Sequence, residues 1–316
     1  MANPFRFSTN MPALTGPVSD WRDKLRRIED LGYWSVAVSD HFTAGWKMEP
    51  VVVMTAAAEA TSTLRVTSLV LGNDYRHPVM LHKSMATLDV LSGGRVEIGL
   101  GAGWMESDYA AANMAYDPAP VRIERLAESV EVIRGLFGAE PFSYVGKHYQ
   151  ITELDGLPKP VRQPHPEILI GGGSRRVLEL AGASADIVGI NPVMRRDRSD
   201  GLALLDLTSE GVAKKIAIAR AAAVAAGRDP DALRYHTSIR SVDVTDAPDG
   251  RRWVSSMATD VTDPAILADS PAVLHGTVES CVEMLQRRRE EFGLDYFHLG
   301  GDPLAAAPIV ARLAGA

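Results

Sequence analysis

The chain has 316 residues, 46% hydrophobic and 23% charged, with a formal net charge of -7. That composition is globular, and the acidic balance excludes a general nucleic-acid binder, whose affinity rests on neutralising phosphates. A single cysteine, Cys281, excludes an intrachain disulfide. No run approaches the roughly 18 apolar residues of a membrane span, and no signal peptide is visible, so a cytoplasmic protein is expected.

In chain order, FRFSTN (5–10) reads as a strand. SDWRDKLRRIEDLG follows as a helix with Trp21, Leu25, Ile28 and Leu31 on one stripe and Gly32 as the stop. YWSVAVSD (33–40) is a strand and VVVMTAAAEATS a helix. LRVTSLVLG (64–72) is a strand, and PVMLHKSMATLDVLSGG a helix whose apolar face is Leu81, Met85, Leu88 and Leu91. RVEIGLG (95–101) is the next strand, and 121–138 an amphipathic helix. FSYVGKHYQI (142–151) alternates around Gly146 and Lys147 and reads as a small inserted hairpin.

EILI (167–170) is a strand, RRVLELAGASA a helix, DIVGIN (186–191) a strand, and 207–226 an alanine-rich helix. RYHTSIRSVDVT (234–245) alternates as one strand. The helix 277–293 carries the stripe Val278, Cys281, Val282 and Leu285, with Arg287, Arg288 and Arg289 read as solvent-face charges. DYFHLG (295–300) is the eighth strand. Strand and helix alternate with short joints, which means parallel pairing. The expected class is α/β, a (β/α)8 TIM barrel with insertions, as one domain over 1–316.

A barrel of this kind places its chemistry at the C-terminal ends of its strands. Gly99, Gly101 and Gly103 stand where the fourth strand ends, followed by Trp104 and Met105. Without Cβ atoms a flat ring can lie against that backbone; a bend with a core tryptophan is the other reading. Gly171, Gly172, Gly173 and Ser174 join a strand to a helix, where free N–H groups and the helix dipole suit a phosphate. Arg175 or Arg176 would add charge there; a capped flexible turn is the alternative. Asp40 and His41 end the second strand, and a histidine there suits proton or hydrogen-bond donation, or holds a loop. The histidine spacings predict no metal site, and no nucleophile elbow is present.

These pieces together resemble the luciferase-like monooxygenase superfamily. The resemblance is carried by VSDHF (38–42), LVLGNDYRHPVML (69–81), ATLDVLSGGRVEIGLGAGWMESDY (86–109), PEILIGGGSRRVLELAG (166–182) and GTVESCVEML (276–285). The DHF and NDYRHP stretches are most similar to the branch that uses coenzyme F420, a deazaflavin, rather than FMN. The resemblance implies Asp40 and His41 beside the ring, Ala102 and Gly103 against it, and Gly171 to Ser174 on the phosphate. It also implies a non-proline cis peptide backing the ring at Ser68–Leu69. Where sugar-phosphate dehydrogenases of this branch carry a glutamate after the glycines, Trp104 stands here, which argues against glucose-6-phosphate. Arg195, Arg196 and Arg198 suit the carboxylate tail of the deazaflavin, or form a solvated loop balanced by Asp197 and Asp200.

The expected function is hydride transfer between coenzyme F420 and a small organic substrate. His41, with Asp40, forms the catalytic group, and Trp46 and Trp104 shape the substrate side. An FMN-dependent monooxygenase of a two-component system is the first alternative, and a non-catalytic flavin or deazaflavin carrier the second. The family further implies a homodimer.

Overall fold

The computed structural model describes residues 3–43, 45, 48–194, 203–245 and 270–316. Its elements in chain order are β1 (Arg6–Asn10), α1 (Val18–Asp30), β2 (Ser35–Val38), α2 (Pro50–Ala60), β3 (Arg65–Ser68), β4 (Leu71–Gly72) and α3 (Pro78–Ser92). β5 (Val96–Gly101), α4 (Glu106–Ala111), α5 (Ala119–Phe137), β6 (Phe142–Val145), β7 (Gln150–Leu154) and β8 (Glu167–Gly172) follow. The remainder is α6 (Arg175–Ser184), β9 (Ile187–Ile190), α7 (Ser209–Ala225), β10 (Arg234–Ile239), β11 (Ser241–Val244), β12 (Val273–Gly276), α8 (Val278–Phe292), β13 (Leu294–Leu299) and α9 (Pro303–Leu313). Parallel strand followed by helix, repeated along the chain, is the order of a (β/α)8 barrel, the class the sequence predicts. Among the described residues no helix is long and apolar enough to cross a membrane.

The chain divides into two compact units, residues 37–170 and residues 1–36 with 171–316. In the unit spanning 37–170, β5 pairs in parallel with β3, β4 and β8. All six residues of β5 are buried, which explains its nearly continuous apolar run. The predicted hairpin is β6 with β7, paired antiparallel. One carboxylate anchors it: Glu128 of α5 accepts backbone hydrogen bonds from Lys147, His148 and Tyr149 at 2.8, 2.9 and 3.1 Å.

The α3 stripe departs from expectation at its end. Leu81, Met85 and Leu88 are buried, but Leu91 is 54% exposed and Asp89 takes an inward place. The reason is a polar docking contact. Asp89 Oδ2 accepts the backbone N–H groups of Val161 and Arg162 at 2.7 and 3.0 Å, so the helix turns that face to the proline-rich segment.

In the other unit β13 lies between β1 and β10, and β10 also pairs with β9, all in parallel. Phe5, Phe7 and Phe297 cluster on one side of these strands, with centroids 6.0–6.3 Å apart. The alanines of α7 let it pack closely on α6. A Cβ on Gly182 would overlap the backbone of Ala219.

Two expectations are corrected here. The alternating run 234–245 is two strands, because Arg240 donates its N–H to Ala272 and β11 then pairs with β12 in a separate two-stranded sheet. The three arginines of α8 are not all solvent-facing. Arg288 is 4% exposed, and its guanidinium donates to the carbonyls of Pro271, Ser270 and Val273. Arg289 lies over the Phe5 ring at 4.0 Å. One helix arginine thus donates to three carbonyls at and just before the start of β12.

Candidate functional site

Unit 37–170 gathers its chemistry just beyond β2 and β5. The chain leaves β2 at Val38 and runs through Asp40, His41 and Thr43, while the short helix α4 follows β5 and carries Asp108. Asp108 is fully buried. Its Oδ1 accepts from the N–H groups of Phe42 and Thr43 at 3.1 and 2.9 Å and from the Thr43 hydroxyl at 2.6 Å. Its Oδ2 meets His41 Nδ1 at 2.6 Å and accepts from the Tyr75 hydroxyl at 3.3 Å.

Burial alone would raise the Asp108 pKa. The hydrogen bonds from Thr43, His41 and the backbone outweigh it and hold the carboxyl below the usual carboxylate range. An ionised carboxylate only accepts, so His41 Nδ1 carries the hydrogen. In the neutral ring the other nitrogen, Nε2, then carries the lone pair. The Trp104 ring stands edge-on to His41 at 5.7 Å and is 46% exposed.

Asp40 is built differently. It is 3% exposed and accepts from the Gly72 N–H at 3.1 Å and from both terminal nitrogens of Arg76, which also reaches Glu49 at 2.6 Å. Asp40 thus fixes the start of the NDYRHP stretch, while His41 turns to Asp108.

Gly99 within β5 and Gly103 just beyond it both meet their own chain. A Cβ on Gly99 would overlap the Ser68 carbonyl. There the Ser68 hydroxyl donates to the Gly99 carbonyl and accepts from the Gly99 N–H, both at 2.9 Å. Gly103 has φ +78°, and a Cβ there would overlap the Tyr109 hydroxyl. The loop is gripped from α5. Arg122, 6% exposed, donates to the carbonyls of Ala102 and Gly103 at 3.2 Å each and stacks on Tyr116 at 4.1 Å. Tyr116 in turn donates to the Trp104 carbonyl at 3.0 Å. Beneath, Asp74 accepts from Tyr109 at 3.0 Å and Arg125 at 2.8 Å.

The non-proline cis peptide is Leu69–Val70, one residue beyond the expected Ser68–Leu69. The strand geometry accounts for the shift. Ser68 still belongs to β3, and the Leu69 N–H still bonds the Val38 carbonyl at 2.8 Å, so the ladder breaks only after Leu69.

In the other unit, β8 ends in Gly171 and Gly172, and Ser174 caps α6 without a side-chain capping bond. Gly171 to Ser174 are half-buried. Gly173 packs so closely on Asn191 and Pro192 that a Cβ would overlap their carbonyls. The first N–H groups of α6, from the N-cap Ser174 onward, have no intrahelical acceptor. Arg175 is exposed and paired with Glu179 at 2.8 Å. Trp46, Arg195, Arg196 and Arg198 lie outside the described residues.

Of the residues expected from sequence, His41 and Trp104 come together, Ala102 and Gly103 form the adjoining loop, and Asp40 and Ser68 hold backbone. Asp108, Thr43, Tyr75 and Arg122 are what sequence reasoning passed over. The one available signal was ESDY (106–109), an acidic pair just beyond a strand end.

The alternation of parallel strands and helices, with polar clusters beyond strand ends, defines an α/β-barrel protein of the enzyme-bearing kind. The chain belongs to the luciferase-like monooxygenase family, whose model matches residues 3–296. It is similar to an FMNH2-dependent dimethylsulfone monooxygenase of Pseudomonas putida, 28% identical over 203 residues, 59% of this chain and 56% of that protein. It is also similar to an F420-dependent glucose-6-phosphate dehydrogenase of Amycolatopsis mediterranei, 31% identical over 167 residues, 51% and 49% of the two. The chain spans about half the length of the curated relatives it matches. A solved F420-dependent secondary alcohol dehydrogenase, in complex with an F420-acetone adduct, shares its fold with TM-score 0.75 at 18% identity, over 98% of each chain. The family holds oxidoreductases, and these relatives divide between FMN and coenzyme F420.

Proposed function

We propose that this protein is an oxidoreductase that transfers a hydride between coenzyme F420 and a small organic substrate. The observation that carries the reading is the His41–Asp108 pair, 2.6 Å apart and beside an exposed tryptophan. A histidine oriented by a buried carboxylate is built to exchange a proton, and it stands beyond a strand end, where barrels do their chemistry. The DHF and NDYRHP stretches resemble the F420-dependent branch, and the curated relatives include F420-dependent enzymes beside FMNH2-dependent ones.

The residues fit such a cofactor. The turn Gly171–Ser174 offers N–H groups and an uncommitted capping hydroxyl to a phosphate. When bound, the cofactor supplies the hydride chemistry. The chain supplies the rest. His41 Nε2 exchanges the proton that balances hydride transfer at a carbonyl or alcohol carbon. Asp108 fixes the tautomer and steadies the imidazolium when the ring is protonated. Trp104 walls the reactant and keeps water away.

Parallel fluorescence titrations with coenzyme F420 and FMN test the cofactor. Tighter binding of coenzyme F420 is expected. Preference for FMN with oxygen-dependent turnover would replace this reading with that of a two-component monooxygenase. His41→Ala tests catalysis: rate should fall far more than cofactor affinity, whereas a carrier shows no turnover to lose.

A further inference from the structure

Lys215 stands in the middle of α7 with only 8% of its surface exposed. Its Nζ donates to the Gly173 carbonyl at 2.7 Å. Burial disfavours its charge, and the Asp206 carboxylate nearby favours it. Asp206 is itself fixed, accepting the Val193 N–H at 3.0 Å. A buried ammonium is costly, and a lysine stem could reach solvent from a surface helix, so its inward place needs an explanation.

We infer that Lys215 is a positioning residue for the cofactor phosphate, acting through the Gly173–Ser174 peptide; this rests on the cofactor reading above. In a trans peptide the carbonyl and the following N–H point in opposite directions. An ammonium on the Gly173 oxygen therefore polarises the peptide so that the Ser174 N–H, on its other side, becomes a stronger donor. The same charge favours an anion at the turn from one peptide away, in surroundings of low dielectric. Gly173 has no room for a Cβ against Asn191 and Pro192, so close packing holds the peptide that Lys215 grips. A charge thus reaches the turn from a helix residue 42 positions after Gly173.

The test compares Lys215→Met with wild type, each titrated by fluorescence with FMN and riboflavin, and with coenzyme F420 and its phosphate-free deazaflavin head. Circular dichroism and thermal melting verify the fold, and Lys215→Gln serves if the methionine variant fails to fold. The expected result is about a tenfold loss of affinity for the phosphorylated forms, the scale of a charge-assisted hydrogen bond, with the phosphate-free forms unchanged. Lys215→Arg, which keeps the charge, should retain most of the phosphate preference. Equal loss for both forms, or no loss, would overturn the inference and leave the cofactor reading standing. Wild-type protein that bound neither phosphorylated cofactor would overturn both.

Discussion

Asp108 holds His41 by Nδ1 at 2.6 Å across 67 residues of sequence, and the same carboxylate binds the two backbone N–H groups that follow His41 in the loop. One side chain therefore sets both the tautomer of the ring and the path of the segment that carries it. Asp108→Asn keeps the shape but replaces one acceptor oxygen with a donor. We expect kcat to fall by roughly 10²-fold or more, the scale of a positioned acid–base group, with a smaller change in cofactor affinity. Stopped-flow turnover beside equilibrium titration separates the two; equal losses in both would mean that Asp108 serves the fold alone.

Arg76 is the cation that faces buried Asp40, and its removal leaves that carboxylate beside the Gly72 N–H without a countercharge. Arg76→Ala should cost about 3–5 kcal/mol, as for a buried pair broken from one side. Urea denaturation measures this, and Asp40→Asn combined with Arg76→Ala should recover part of the loss.

Gly103→Ala places a Cβ at φ +78° and against the Tyr109 hydroxyl. The expected loss is about 2–3 kcal/mol, from left-handed backbone and overpacking together. A thermal melt reads it. Gly16→Ala is the control, since a Cβ there meets nothing within 4 Å, and its melting temperature should stay close to that of the wild type.

Acid should destabilise the protein in two windows. Burial lowers the pKa of His236 to about 3 and that of His298 to about 4. Between the ordinary histidine value of ~6.5 and those values the unfolded chain binds protons that the folded chain refuses, so stability falls as pH falls. The depressed Asp108 carboxyl contributes stability that is present above ~3.9, the ordinary aspartate value, and is lost as pH drops through its folded value. Melting temperature measured from pH 7 to 3 should show a flatter upper window in His236→Gln. Asp108→Asn should flatten only the lower one.

Much of this architecture is legible in sequence because it rests on periodicity. The strand 95–101 and the hairpin 142–151 show as local patterns, and both stand where those patterns put them. What escaped was decided by long-range polar contacts. Leu91 lost its place on α3 because Asp89 bonds the backbone of Val161 and Arg162, 72 and 73 residues away. Arg288 turned inward because its guanidinium donates to the carbonyls of Ser270, Pro271 and Val273, 15 to 18 residues away. At the site, His41 was visible from its strand end, whereas Asp108 was hidden in a six-residue helix too short to show a period.

Arg122 has a further consequence. One guanidinium on α5 clasps the carbonyls of both Ala102 and Gly103 and so ties the loop after β5 to that helix. Like a tiller arm, that helix is then expected to carry the wall formed by Trp104 with it when a substitution on α5 shifts Arg122.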